Sequence, residues 1–141
     1  MKFLKLLVIA LLLSPVACSS KQEEKRAIIG AWLMQSASFP VEAQCRKMSF
    51  RFDVDGTYIG NDGSMEMKAT YKVVSESPAL VLQFSSVSDN DHPNCQGRSP
   101  SYVRSHPPGF LLVQATADPA KKRFFFGPTE ESPSVLVVRA K

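Results

Sequence analysis

The stretch that decides the fold is KMSFRFDVDGTYIG, residues 47–60. In its first half apolar side chains occupy every second position, which is the period of a β-strand with one face toward solvent. Asp55-Gly56 follows, a pair that accepts positive φ in tight turns, and residues 57–59 begin a return strand. The stretch therefore predicts an antiparallel hairpin.

The same two-residue period continues after this hairpin. It runs through residues 65–73, and a more deeply buried strand is predicted at residues 79–84. Further strands are predicted at residues 109–116, 123–126 and 134–140. Because closure into a barrel removes unpaired strand edges, the pattern predicts an all-β fold, a small antiparallel up-and-down β-barrel. A two-sheet β-sandwich is the alternative.

A long segment without periodicity interrupts these strands. Residues 85–108 are rich in Ser, Asp, Asn, Pro and Gly, and they are predicted to form a loop. Because Arg and Tyr are favoured anchors of protein interfaces, the loop is a candidate surface for a protein partner. Its candidate contact residues are Arg98, Tyr102, Arg104 and His106. The alternative is a loop that only closes one end of the barrel.

Two short sequence motifs, one near each end of the predicted domain, resemble those of a known protein family. Residues 28–33 read IIGAWL, and the last strand ends in Arg139. Gly-x-Trp before the first strand and a basic residue on the final strand resemble the lipocalins and their calycin relatives. With SFRFDVDGTY between them, residues 28–139 resemble the lipocalin-like domains of small bacterial lipoproteins. The alternative is an ordinary core tryptophan in another β fold.

The resemblance implies that Arg139 lies over Trp32 at a closed end of the barrel, so that a ligand enters at the other end. A guanidinium over an indole ring contributes about 0.5 to 2 kcal/mol. Small barrels either fill their interior or hold one small ligand. The candidate lining residues, predicted to face inward, are Phe50, Phe52, Tyr58, Met65, Met67, Tyr71, Leu82, Phe84, Phe124 and Phe126. Alternation does not separate a pocket wall from a packed core, which is the alternative.

The N-terminus has the pattern of an export signal. Lys2 and Lys5 precede an apolar run at residues 6–13. This run is much too short for a transmembrane helix, which needs about 20 apolar residues. The sequence VACSS that follows resembles the bacterial lipobox, in which the cysteine, here Cys18, is diacylated and becomes the new N-terminus. Ordinary signal-peptidase cleavage near this cysteine is the alternative.

The resemblance implies a signal peptide at residues 1–17, a lipidated Cys18 with a flexible tether at residues 18–27, and a lipocalin-like barrel domain at residues 28–141. Ser19 is not the Asp that usually retains lipoproteins in the inner membrane. The resemblance thus implies a lipid anchor in the outer membrane, with the protein facing the periplasm.

Cys45 and Cys95 remain as one pair if Cys18 carries lipid. In an exported protein such a pair commonly forms a disulfide. The bond would close a loop of about 50 residues and stabilise the fold by about 4 kcal/mol in the chain-entropy description. The alternative is two separate buried thiols.

Several classes of function find little support. The leader holds two of the 17 basic residues, so the mature net charge is about +2 rather than +4, and no basic track for nucleic acid is present. There is no nucleophile elbow, and His92 and His106 stand in predicted loops. Met48, Met65 and Met67 could offer thioethers to Cu(I), but methionine is also common filler of inward faces. We therefore predict no enzyme, no cofactor and no metal site.

The sequence predicts non-enzymatic binding of an apolar small molecule or lipid by a lipoprotein. The alternative is a lipoprotein that binds a periplasmic protein through the loop at residues 85–108, as an inhibitor, an immunity protein or an envelope-assembly partner.

Overall fold

The computed structural model describes residues 26–76 and 79–141. The predicted signal peptide, Cys18 and most of the predicted tether lie outside the described residues. Arg26 and Ala27, the last two residues of the predicted tether, are among the described residues. They form a helical turn with Ile28, and the carbonyl oxygen of Ala27 accepts a hydrogen bond from Nη2 of Arg139 at 3.1 Å.

The described residues form a closed barrel of eight antiparallel strands, each paired with the next and the last paired with the first. The up-and-down barrel is therefore confirmed, and the sandwich alternative is wrong. The strands are β1 Gly30–Ala37, β2 Ser49–Phe52, β3 Thr57–Asn61, β4 Glu66–Ser75, β5 Leu80–Asp89, β6 Phe110–Ala115, β7 Lys121–Phe125 and β8 Ser134–Arg139. A 3₁₀ helix at Ala43–Cys45 and the helix α1 at Pro100–Ser105 lie in the connections.

The hairpin of β2 and β3 forms where the alternation predicts it. Phe52 pairs with Tyr58 in register, and the amide of Asp53 donates to the carbonyl of Thr57 at 2.8 Å. Gly56 has a φ of +92°, a conformation that glycine adopts without steric cost. The Asp55 carboxylate accepts from the amide of Thr57 at 2.8 Å, and this hydrogen bond lowers the pKa of Asp55.

One end of the barrel, which we call the Trp32 end, is closed by the guanidinium of Arg139, which lies over the indole of Trp32. The Arg139 guanidinium carbon lies 4.4 Å from the centre of the Trp32 indole, and its Nη1 donates to the carbonyl of Ile29 at 2.7 Å. The indole Nε1 donates to the carbonyl of Ile28 at 2.8 Å. A side chain at Gly30 would place its Cβ 2.5 Å from Arg139 Nη1, so the close approach requires glycine. The arrangement is the one that the lipocalin resemblance implies.

The middle of the barrel is filled by aromatic rings in direct contact. Trp32, Phe52 and Phe124 are fully buried. The ring of Phe124 lies 6.0 Å from that of Trp32 and 5.7 Å from those of Phe50 and Phe52, in edge-on arrangements that aromatic pairs favour. The core of the molecule is therefore the barrel interior itself.

The predicted loop at residues 85–108 is shorter than expected. β5 continues to Asp89, past a bulge where Ser86 has a φ of +53°, so the alternation changes phase there and hides the strand. α1 is only six residues long, too short to show a helical period. Its start does carry a signal, because Ser99 caps the helix by accepting from the amide of Tyr102 at 3.3 Å and Pro100 follows it.

The disulfide between Cys45 and Cys95 is confirmed. It joins residues 38–48 to residues 90–109, the two long connections at the end of the barrel opposite Trp32. The Asp62 carboxylate strengthens this junction by accepting from the amide of Cys95 at 2.9 Å. A buried disulfide indicates an oxidising compartment outside the cytoplasm. Within residues 26–76 and 79–141, no helix has the length and apolar character needed to span a bilayer.

Candidate functional site

A cavity of about 130 Å³ opens at the end of the barrel opposite Trp32, between β2, β3 and β4. We call it the mouth pocket. Its lining residues are Met48, Phe50, Tyr58, Gly60, Asn61, Asp62, Met65 and Met67. Four of the ten predicted lining residues, Phe50, Tyr58, Met65 and Met67, are therefore brought together here.

The register of β2, β3 and β4 brings these lining residues next to one another. Gly60 pairs with Phe50 on one side and with Met67 on the other, so the three residues form a row across the inner wall. The tip of the Tyr58 ring occupies the place where a side chain at Gly60 would lie, because a Cβ there would be 2.5 Å from the Tyr58 hydroxyl. Met65 is held by Asp62, whose carboxylate accepts from its amide at 2.8 Å.

Tyr58 supplies an unusual polar group on this wall. Its side chain is buried, with only 6% of the residue exposed, and its ring packs against those of Phe52 at 5.1 Å and Phe84 at 4.6 Å. No residue that the structure describes is hydrogen-bonded to its hydroxyl, and this oxygen is not enclosed, since no fully buried side-chain N or O atom of the described residues lacks a partner. Burial raises the pKa of Tyr58, so the hydroxyl stays a neutral donor. The hydroxyl of Tyr71, in contrast, donates to the carbonyl of Asp53 at 2.8 Å.

The other six predicted lining residues lie elsewhere. Four of them belong to the packed interior, and these are Phe52, Tyr71, Leu82 and Phe124. Phe84 is buried against Tyr58 and reaches a separate cavity beside residues 107–109. Phe126 lies beyond the end of β7 and is 37% exposed. Alternation reports the face of a strand but not which of the inward residues reach the pocket.

Four residues that line the pocket were not among the predicted lining residues, namely Met48, Gly60, Asn61 and Asp62. Met48 stands in the same inward phase as Phe50, so its position was readable from the alternation. Gly60 could be found only from the strand register, because a missing side chain leaves no apolar signal. Asn61 and Asp62 lie between the strands predicted at residues 57–59 and 65–73, and they also line the pocket.

The Trp32 end also has a cavity, which the resemblance did not imply. Its volume is about 260 Å³, and it lies against Ile28. Charged residues contribute to its lining, namely Glu76, Lys122 and Glu130. This wall of mixed charge is less suited to an apolar ligand than the mouth pocket, whose lining includes a single charged residue, Asp62.

Residues 90–109 cover part of the barrel beside the mouth pocket, and an ion pair fastens them. Arg104 donates from Nε and Nη2 to the two carboxylate oxygens of Asp89, both at 2.8 Å, and from Nη2 to Asp91 at 2.6 Å. The Asp89 side chain is only 3% exposed. Arg104 was predicted as a contact for a partner, whereas the structure engages it within the chain. Its guanidinium holds the pKa of Asp89 below the ordinary value.

The other three candidate partner residues stack on one another. The Arg98 guanidinium carbon lies 4.8 Å from the ring centre of Tyr102, and its Nη1 donates to the Tyr102 hydroxyl at 2.8 Å. The His106 ring stacks on Tyr102 with centroids 4.5 Å apart and planes 23° apart. Tyr102 is 42% exposed. The three side chains thus form a surface column, which we call the Arg98 column.

The described residues contain no group of three or more His, Cys, Asp or Glu side chains placed to hold a metal ion. No protein-family profile, curated protein or solved structure matches the chain. The eight-stranded closed barrel is consistent with a lipocalin-like fold.

Because Asp89 forms an ion pair with Arg104, we expect the free energy of unfolding to depend on pH. A carboxyl whose pKa is lowered by folding stabilises the native state above its unfolded pKa, near 3.8, and this contribution is lost as the pH falls. We expect Asp89→Asn to lower the melting temperature between about pH 5 and 8, and its difference from wild type to shrink below about pH 4. Glu131→Gln, at an exposed position, is the control. A difference that stays constant down to about pH 3 would contradict the role of the charge.

Proposed function

We propose that the protein is a non-enzymatic binding protein and that the mouth pocket takes a small apolar molecule. The observation that carries this proposal is the pocket itself, whose walls are mainly methionine and aromatic side chains and which contains one unpaired hydroxyl. Methionine side chains are flexible and polarisable, so Met48, Met65 and Met67 suit a wall that adapts to its occupant.

The volume of the pocket limits the ligand. An engineered apolar cavity of about 150 Å³ binds benzene, whereas pockets for drug-sized molecules measure about 300 to 1,000 Å³. A pocket of about 130 Å³ accommodates a single ring or the end of an acyl chain. Because the rings of Phe52 and Phe124 fill the barrel below it, we expect no deeper insertion of a lipid.

Filling the pocket tests the proposal. We expect Met67→Trp to weaken the binding of toluene, measured by calorimetry, by about tenfold or more, which corresponds to about 1.4 kcal/mol of lost contact. Val54→Trp adds the same side chain at an exposed turn of the Trp32 end and should leave affinity unchanged. If the folded wild-type protein binds no apolar probe, or if both variants bind as wild type does, the proposal is wrong.

A second candidate function is binding to a periplasmic protein, as an inhibitor, an immunity protein or an assembly partner. The observation that favours it is the rigid presentation of the Arg98 column. The Cys45–Cys95 disulfide and the Asp89–Arg104 ion pair hold residues 90–109 in place. A surface that is already ordered loses little conformational entropy on binding.

Photo-crosslinking in the native cells tests this second function. We expect a benzophenone amino acid at position 102 to give a discrete crosslinked product that Arg98→Ala removes, because Arg98 lies beside position 102 on the same surface and would contact the same partner. The same probe at Val54, at the Trp32 end, should give none. Equal products from both positions would argue against a partner at the Arg98 column.

We also propose that the mature protein is lipid-anchored through Cys18 and faces the periplasm. Support comes from the VACSS sequence and from the disulfide, which fits an oxidising compartment. We expect labelled palmitate to enter the wild-type protein and not Cys18→Ser, while Ser20→Ala is labelled normally. Absence of label from the wild-type protein would overturn the anchor.

A further inference from the structure

We infer that the ligand of the mouth pocket is a neutral monocyclic aromatic compound with one hydrogen-bond acceptor, which the hydroxyl of Tyr58 receives. This inference rests on the proposed binding function and narrows the class of ligand. It follows from four properties of the wall: its shape, its sulfur and ring content, its Tyr58 hydroxyl and its charge.

The shape of the pocket favours a ring. Gly60 lies between Phe50 and Met67 in the wall, and the tip of the Tyr58 ring packs against its backbone. The hydroxyl of Tyr58 therefore lies on the pocket wall beside those two side chains. A volume of about 130 Å³ is close to that of an engineered cavity, about 150 Å³, that holds one benzene molecule. A substituent on the ring would point toward the opening or toward Tyr58.

The chemistry of the walls favours an aromatic over an aliphatic occupant. The rings of Phe50 and Tyr58 can pack against a third ring at offset or edge-on angles. The thioethers of Met48, Met65 and Met67 line the same small space, and sulfur makes favourable contacts with the edges of aromatic rings. An aliphatic chain would gain burial here but neither of these contacts.

The donor on the wall favours an acceptor on the ligand. The Tyr58 residue is more than nine-tenths buried, and its hydroxyl, which has no protein partner among the described residues, keeps contact with solvent. A purely apolar ligand would keep it unpaired and remove it from water, which costs free energy. An acceptor on the ring relieves that cost, as the backbone carbonyl of Asp53 does for Tyr71.

The charge at the rim favours a neutral ligand. Asp62 is the charged residue among those that line the pocket, and its carboxylate accepts from the amides of Ser64, Met65 and Cys95. No lysine or arginine side chain lines the pocket among the described residues. An aromatic carboxylate would therefore meet a negative charge and no compensating cation.

A matched pair of probes tests the inference on the mature protein. Benzonitrile and phenylacetylene have nearly the same shape, but only the nitrile is a good acceptor. We expect calorimetry to give benzonitrile an affinity about two- to tenfold higher than that of phenylacetylene, and to give benzoate the weakest binding. Tyr58→Phe should abolish the preference for the nitrile. Tyr71→Phe, which removes a buried hydroxyl outside the pocket, should keep it.

The outcomes separate the inference from the proposed function. If wild type binds both probes equally, or if a folded Tyr58→Phe variant keeps the preference, the inference is wrong and the apolar pocket stands. If benzoate binds best, the inference is also wrong. If wild type binds none of the probes, the proposed function fails with it. Should Tyr58→Phe not fold, Gly60→Ala, which forces the Tyr58 hydroxyl to move, must reduce the preference.

Discussion

The structure depends on one constraint, which is that an eight-stranded barrel of this size has an interior that side chains must fill. Phe124 meets this constraint at the centre, because its ring contacts those of Trp32, Phe50 and Phe52 and is itself fully buried. Each of these residues comes from a different strand, except that Phe50 and Phe52 share β2. Their packing therefore joins strands from both ends of the chain and closes the sheet on itself.

The two ends of the barrel solve the problem of closure differently. At the Trp32 end, Arg139 covers the indole and bonds the backbone of the helical turn at residues 26–28, so closure is achieved by one side chain of the last strand. At the opposite end, long connections are tied by the disulfide and by Arg104. The mouth pocket opens at that end, with Gly60 and Tyr58 in its wall.

Periodicity predicted a large part of this fold for a physical reason. Side chains on a strand alternate between water and the core, so the faces of β2, β3 and β4 were readable from residues 48–73. The bulge at Ser86 could not be predicted from the sequence, because it shifts the alternation of β5 and no change in apolar residues signals it. The partner of Arg104 was also hidden, since Asp89 reaches it only through the tertiary fold.

The candidate site also combines features that the sequence predicts with features that depend on the tertiary fold. Alternation assigns all ten predicted residues to the inward face, but only four of them line the pocket. Which inward residues reach the opening depends on strand register and tilt, which in turn depend on turns and bulges. The free hydroxyl of Tyr58 belongs to the same class of feature, because the sequence shows a tyrosine but not whether a neighbour satisfies it.

The central claim is that a small apolar molecule binds in the mouth pocket. Methyl NMR of protein labelled at methionine tests it most directly, since the methionines after the leader are Met34, Met48, Met65 and Met67 and Met34 lines a separate cavity with Phe39. On titration with toluene we predict saturable shifts of the methyl signals of Met48, Met65 and Met67, and little change at Met34. Equal shifts at all four, or no shift in a folded protein, would contradict the account.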